Sequence, residues 1–206
     1  LVTATEVAAA LDCTQAEGIR LVSDGIWTVP PTGETARNYL GDSVTEAGVA
    51  IATNMSDAVR YHAMANGPAS PDEFTIRAPN VDFSADTVMP ESLITSIQPH
   101  YQVPHAADLP DYHNYALRVA GPLLALGVNS PFFPTDLYEP ADSGEILAEG
   151  WHENRIAVFE SVLNTSEAEK VRFPEDLTTV EEAVDRVAQD PGIVPMPVAR
   201  GDRFDD

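Results

Sequence analysis

A chain of 206 residues that is 44% hydrophobic can bury the core of one sizeable domain. Its 33 acidic residues face 11 Lys and Arg, of which Lys170 is the one lysine, giving a formal net charge of −22. Such a surface repels nucleic acid and anionic membrane, so neither is expected as a partner.

The acids are scattered rather than gathered in a tail. Scattered Asp and Glu with almost no Lys point to a salt-adapted, acidic surface, where screening makes the self-repulsion tolerable. The single cysteine, Cys13, excludes an internal disulfide and a thiolate metal cluster. Its alanine-rich setting predicts a small buried hydrophobe. No apolar run approaches the length of a membrane span, and the first residues do not read as a charged-then-apolar leader. The chain starts without Met, which fits either processing or excision from something longer.

In chain order, Thr3-x-x-Glu6 reads as a capping box for a helix through Ala8, Leu11 and Ala16, closed by Gly18. Residues 19–23 read as a short strand, and 24–33 as a Pro/Gly loop in which Trp27 is either a binding lid or a staple over the core. A short helix over 35–40 carries Arg37 and Tyr39. Residues 49–53 form a brief strand, and Ser56 is expected to cap a helix ending at Asn66. Residues 74–81 alternate as a strand, followed by a linker.

Residues 92–103 alternate again, with Gln98, His100 and Gln102 on one face. Two strands joined without a helical crossover favour antiparallel pairing. Pro110 starts a long helix, expected to be the most buried in the chain, with a stripe through Val119, Leu123 and Leu126 and a kink at Gly121-Pro122. Residues 135–149 read as an acidic loop and 155–163 as a strand of the same sheet as 92–103. Thr179-x-x-Glu182 caps a last helix through Val184 and Val187. The expected fold is α+β, a mostly antiparallel sheet with helices packed on one side. Residues 1–190 form one domain, and 191–206 a Pro- and charge-rich tail or linker.

Three pieces of this order carry a resemblance. They are His100-Tyr101-Gln102, the helix end Ala125-Leu126-Gly127-Val128-Asn129-Ser130-Pro131, and Arg155 within GWHENRIAVFESVL, with looser likeness in DGIWTVPPTG and ARNYL. Together they resemble the glutamate–cysteine ligase family of carboxylate–amine ligases, in the form found in salt-loving archaea. The resemblance implies part of a glutamine-synthetase-like catalytic domain and an ATP-dependent ligase that forms an amide through an acyl-phosphate. It implies ATP and Mg as cofactors, an amino acid and a nucleotide as small-molecule partners, and a cytoplasmic location. By the same resemblance His100 would hold the metal and Arg155 would be catalytic, approaching the phosphates. Gln98, Gln102, Asn129 and Arg37 are the candidate substrate-binding residues. His100 and Arg155 are expected to point from one sheet face into a shared concavity.

The chain departs from the family pattern in lacking paired glutamates before His100, an Arg/Glu-bearing strand after Leu163, and a Gly-rich phosphate loop. It therefore reads as the central part of a ligase, completed by missing chain segments or by a homo-oligomer. Three other readings stand beside it. One is a ligase-like domain that binds a small molecule or subunit without turnover. Another is a metal-dependent hydrolase using His100, His105 and His113 with Asp108 and Asp111. The last is a structural domain. His62 and His152 are isolated.

Overall fold

The computed structural model describes residues 4–18, 25–56, 58–67, 70–164 and 169–190. The expected strand at 19–23, the Thr3 cap and the 191–206 tail lie outside these residues. The α+β class is as expected, with seven α-helices and two small antiparallel sheets among the described residues.

Helix α1 (Ala4–Ala16) stops at Gly18, whose φ of +71° is a conformation that glycine adopts without strain. Cys13 on it is exposed, not buried as its apolar neighbours led one to expect. Helix α2 (Ala36–Gly41) starts at Thr35, whose hydroxyl accepts from the Asn38 amide at 3.1 Å, and it buries Ala36 and Leu40. Thr35→Ala should cost about 1 kcal/mol in a denaturant melt, as losing a cap does.

Strands β1 (Ser43–Glu46) and β2 (Val49–Ala52) pair around Ala47-Gly48, both with positive φ, as a two-residue hairpin turn requires. Helix α3 (Val59–Asn66) follows from Ala58, with no side-chain cap, so Ser56 does not play the expected role. Strands β3 (Phe74–Ala78) and β4 (Val81–Ala85) turn at Pro79-Asn80, the Pro-then-Asn order of a type II turn. Residues 82–85 had read as linker; instead they continue β4, where Val81, Phe83 and Ala85 alternate into the core with Asp82 and Ser84 outward.

Two expected strands are corrected. Residues 92–103 form none: a 3₁₀ turn (Met89–Leu93) leads to a single bridge between Ile26 and Ile94. Beyond it Ile97 is 91% exposed and Tyr101 79%. Pro99 has no amide hydrogen to give a ladder, and alternation alone does not provide a partner strand. Residues 155–163 are helix α6 (Arg155–Leu163). Its buried pair, Val158 and Val162, lies four apart, which is the helical period and not the alternating one.

The long helix α4 (Leu109–Gly127) runs through Pro122, but no residue on it is buried. Leu123 is 59% exposed and Leu126 87%, so the expectation of a deeply buried helix fails. Its ties are polar. Asn114 exchanges two hydrogen bonds with the Leu177 backbone, both 2.8 Å, and Arg118 pairs with Asp176.

Part of the expected acidic loop is also helical. A 3₁₀ turn (Thr135–Leu137) precedes α5 (Ser143–Glu149), which a reciprocal Asp142/Glu145 capping box opens.

The last helix, α7 (Val180–Gln189), is capped by Thr179 as expected. Glu182 accepts from the Thr178 amide at 2.8 Å and hydroxyl at 2.7 Å, and it pairs with Arg186. These donors, Thr178 first, hold its pKa at about 2, below the ordinary 4.5. Because the folded value is depressed, its contribution is present above pH 4.5 and is lost as pH falls toward about 2. The protection of α7 amides, taken relative to their intrinsic exchange rate at each pH, should therefore fall across that window in the native chain. In Glu182→Gln the change across the same window should be much smaller.

The core gathers Ile26, Leu40, Ile76, Leu93, Leu137 and Val158, all 0% exposed. Helix α6 covers β3, and α2 sits against β4 and the Met89–Leu93 turn. That arrangement brings the start of α6, the segment after Leu93 and the end of α4 to one place.

Candidate functional site

At that place lies a cleft of about 790 Å³. The Met89–Leu93 turn and the residues up to Gln98 form one side, Asn54–Ser56 and Tyr61 another, and Leu124 of α4 and residues 153–159 the rest. Most of the lining is apolar, with Glu91, Glu153 and Arg155 the charged groups among it.

Arg155, the first residue of α6, ties three segments together. Its Nε and one terminal nitrogen grip Glu153 in a fork, at 2.8 Å to Oε1 and 2.7 Å to Oε2. The guanidinium also donates to the Thr95 carbonyl at 3.2 Å and the Gly127 carbonyl at 3.0 Å. Glu153 in turn accepts from the Arg155 amide at 3.1 Å, satisfying a donor that a helix start leaves open. The bond from Arg155 holds the Glu153 carboxyl below its ordinary range, more than enough to offset the opposing effect of burial.

The Asn129-Ser130 corner locks in behind. Asn154 donates twice to the Ser130 carbonyl, from its amide at 3.0 Å and its side chain at 3.1 Å. Ser130 is 2% exposed and its hydroxyl meets Asn129 Oδ1 at 3.0 Å. Gly25 fits against this corner so closely that a Cβ there would lie 1.9 Å from Ser130 Oγ. The Gly25 carbonyl accepts from the Thr95 amide at 2.8 Å.

Glu91 is the contrasting carboxylate. It is half-buried on the cleft wall, and among the described residues no hydrogen bond or ion pair reaches its side-chain oxygens. Burial pushes its pKa up, so the cleft carries two carboxylates moved in opposite directions.

Of the residues singled out from sequence, the cleft brings together Gln98 and Arg155, with Asn129 directly behind. Gln102 and His100 stand on the exposed stretch beyond Gln98 and do not line the cleft. The expected sheet face shared by His100 and Arg155 is not formed, because neither residue is on a strand. Arg37 lies elsewhere, bonded to Asp136 and to the Leu137 carbonyl at 3.2 Å and stacked over Phe83 at 5.7 Å. Trp27 packs edge-on against Tyr39 at 5.8 Å and bonds the Ser92 carbonyl, the staple of the two roles considered. Among the described residues no group of three or more His, Cys, Asp or Glu side chains is placed to hold a metal ion, so His100, His105 and His113 are not gathered.

Sequence reasoning missed Glu91, Glu153, Tyr61 and Phe159. A signal existed for the first: Glu91 is the one ionisable group in the run from Val88 to Leu93, which is otherwise apolar except for Ser92.

Concave, mostly apolar clefts with a few polar groups are where small molecules commonly bind. The model of glutamate-cysteine ligase family 2 matches residues 3–206, and the chain belongs to that family. No curated protein and no solved structure gives a match. Among the described residues no helix is long and apolar enough to cross a membrane.

Proposed function

We propose that the protein acts in an ATP-dependent carboxylate–amine ligase of the glutamate–cysteine ligase type, joining a carboxylate to an amine through an acyl-phosphate. The observation that carries this reading is the family match along residues 3–206. The cleft supports it by offering an open, mostly apolar space for an organic substrate, with Gln98 and Arg155 on its lining. In this reading a carboxylate oxygen displaces ADP at the γ-phosphate, and the amine then displaces phosphate at the carbonyl carbon. A ligase that draws on ATP works where ATP is supplied, which is the ground for a cytoplasmic location.

The family's use of magnesium meets a different fit. Mg²⁺ takes about six oxygen ligands in near-octahedral geometry. The described residues gather no such set, and His100 is a lone imidazole on an exposed segment, so they do not fit the ion and no step is drawn through it. The cleft is equally unsuited to a polyphosphate. Its one cation among the described lining residues is already engaged by Glu153, and Glu91 adds a negative charge. The cleft is accordingly assigned to the organic substrate, with the nucleotide outside it. Arg155 is assigned as a positioning residue that holds Thr95, Gly127 and Glu153 around that space.

The test is product formation in molar KCl with ATP, magnesium, glutamate and a panel of amines. An amide should form with release of phosphate, and labelled oxygen from the carboxylate should appear in that phosphate. Amide formation without label transfer would contradict the acyl-phosphate; ATP cleavage with no amide would contradict the ligase. The charge of −22 makes a further prediction: dilution from molar KCl to low salt should lower the melting temperature, as exposed carboxylates lose their screening.

A further inference from the structure

We infer that two copies of the chain pair through residues 97–103, antiparallel about a two-fold axis at His100, with the exposed side of α4 covered in the same interface. The inference goes beyond the ligase reading and does not depend on it.

The backbone of this segment is unengaged. Among the described residues no hydrogen bond reaches the main chain of residues 96–103, and residues 95–102 are all exposed. A row of open N–H and C=O groups is a template for another strand. The order Ile97-Gln98-Pro99-His100-Tyr101-Gln102-Val103 has nearly the same character read from either end. Paired with its own copy about His100, it sets Gln98 against Gln102, Ile97 against Val103 and Pro99 against Tyr101. An isologous contact asks for such a self-complementary patch. With His100 at a hydrogen-bonded pair, the ladder runs through Gln98, His100 and Gln102. Pro99 then falls at a pair that needs no amide hydrogen from it. The closer, non-bonded pairs are the apolar ones.

Charge selects a second copy as the occupant. Between Ser92 and Pro134 the acids are Asp108 and Asp111, in a chain that carries 33. Two bodies of charge −22 meet at close range only where neither brings its acids, and this stretch is such a face. A basic partner would instead be met by a carboxylate-rich surface. Ile97 and Leu124 border one cleft, so the segment is continuous with α4. A stable interface takes about 800 Å² from each partner, more than a short ribbon gives. Helix α4, about 28 Å long, adds the exposed Leu123, Leu124 and Leu126. Because Gln98 lines the cleft, the pairing brings the second copy's Gln102 to its edge.

Light scattering and sedimentation in molar KCl test the pairing, and disulfide trapping tests its register. The native chain should show twice the mass of one chain, with the dimer fraction rising with concentration. Tyr101→Glu should weaken dimerisation at least about tenfold, as losing a buried aromatic anchor does. Tyr101 is exposed in the single chain, so the circular dichroism of this variant should match the native. In a Cys13→Ser background, His100→Cys should give a linked dimer on copper–phenanthroline oxidation. Residues facing each other across a hydrogen-bonded pair lie about 5.5 Å apart, within disulfide reach. Gln98→Cys and Gln102→Cys should each stay unlinked alone and link once mixed and allowed to exchange. A monomer at every concentration, or a dimer indifferent to Tyr101→Glu, would overturn the inference. So would Gln98→Cys linking to itself as fast as His100→Cys.

Discussion

Arg155→Ala is expected to destabilise the protein by about 3 kcal/mol in urea melts at neutral pH, the low end for removing one partner of a buried ion pair. Glu153 is 8% exposed at its side chain and Arg155 21%, so the charge left behind cannot simply turn to water. The carbonyls of Thr95 and Gly127 lose a donor in the same change. Arg155→Lys should recover only part of the loss, since an ammonium cannot reproduce the planar fork to both Glu153 oxygens. The effect has a signed pH dependence. Glu153 has a depressed folded pKa, so the pair's contribution is present above the ordinary 4.5 and is lost as pH falls through the folded value. The difference between native and Arg155→Ala should narrow in acid. A variant that melts like the native chain at neutral pH would show that the clasp holds nothing together.

Gly25→Ala is expected to cost about 2 kcal/mol, as overpacking of a filled site does. The added methyl would lie 1.9 Å from Ser130 Oγ, 2.5 Å from Asn129 Oδ1 and 3.0 Å from Arg155 Nε. Ser130 is buried, so turning its hydroxyl away moves it into packed surroundings instead of water. The corner and the clasp therefore have to give way together. Non-additive losses in the Gly25→Ala, Arg155→Ala double variant would confirm that they act as one unit; simple addition would separate them.

What could be read from the sequence divides by the kind of signal. Local chemistry was legible: Thr179 caps α7, Gly18 ends α1, and residues 49–52 and 74–78 are strands. The antiparallel sense of the sheet was legible too, but not the partners, since β3 pairs with β4 and not with residues 92–103. Two strand readings failed for different reasons. In 92–103 the sequence alternates, yet Pro99 has no ladder donor and no strand forms beyond the Ile26–Ile94 bridge. Residues 155–163 read as a strand, whereas the Val158 and Val162 pair and the Arg155–Glu153 bonds at its start fit a helix.

Charge context was the least legible part of the site. Arg155 stood out as a cation on its own; that Glu153, two residues earlier, engages it depends on a helix start that sequence reasoning had read as a strand. Glu91 becomes distinctive only when the cleft is assembled from residues 54–61, 88–98 and 153–159. Family membership was legible from short motifs dispersed along the chain, even though the secondary structure at Arg155 differs from expectation.

The cleft is defined by two carboxylates in opposite electrostatic states, one gripped by Arg155 and one left open. The most direct test follows both by carbon-13 NMR of side-chain carboxyls across acid pH in molar KCl, with Glu91→Gln and Glu153→Gln to assign the signals. Glu153 should stay ionised below the ordinary carboxylate range and Glu91 should take up its proton above it. In Arg155→Ala the Glu153 titration should move upward. Two carboxyls titrating together at the ordinary value, unmoved by Arg155→Ala, would contradict the account.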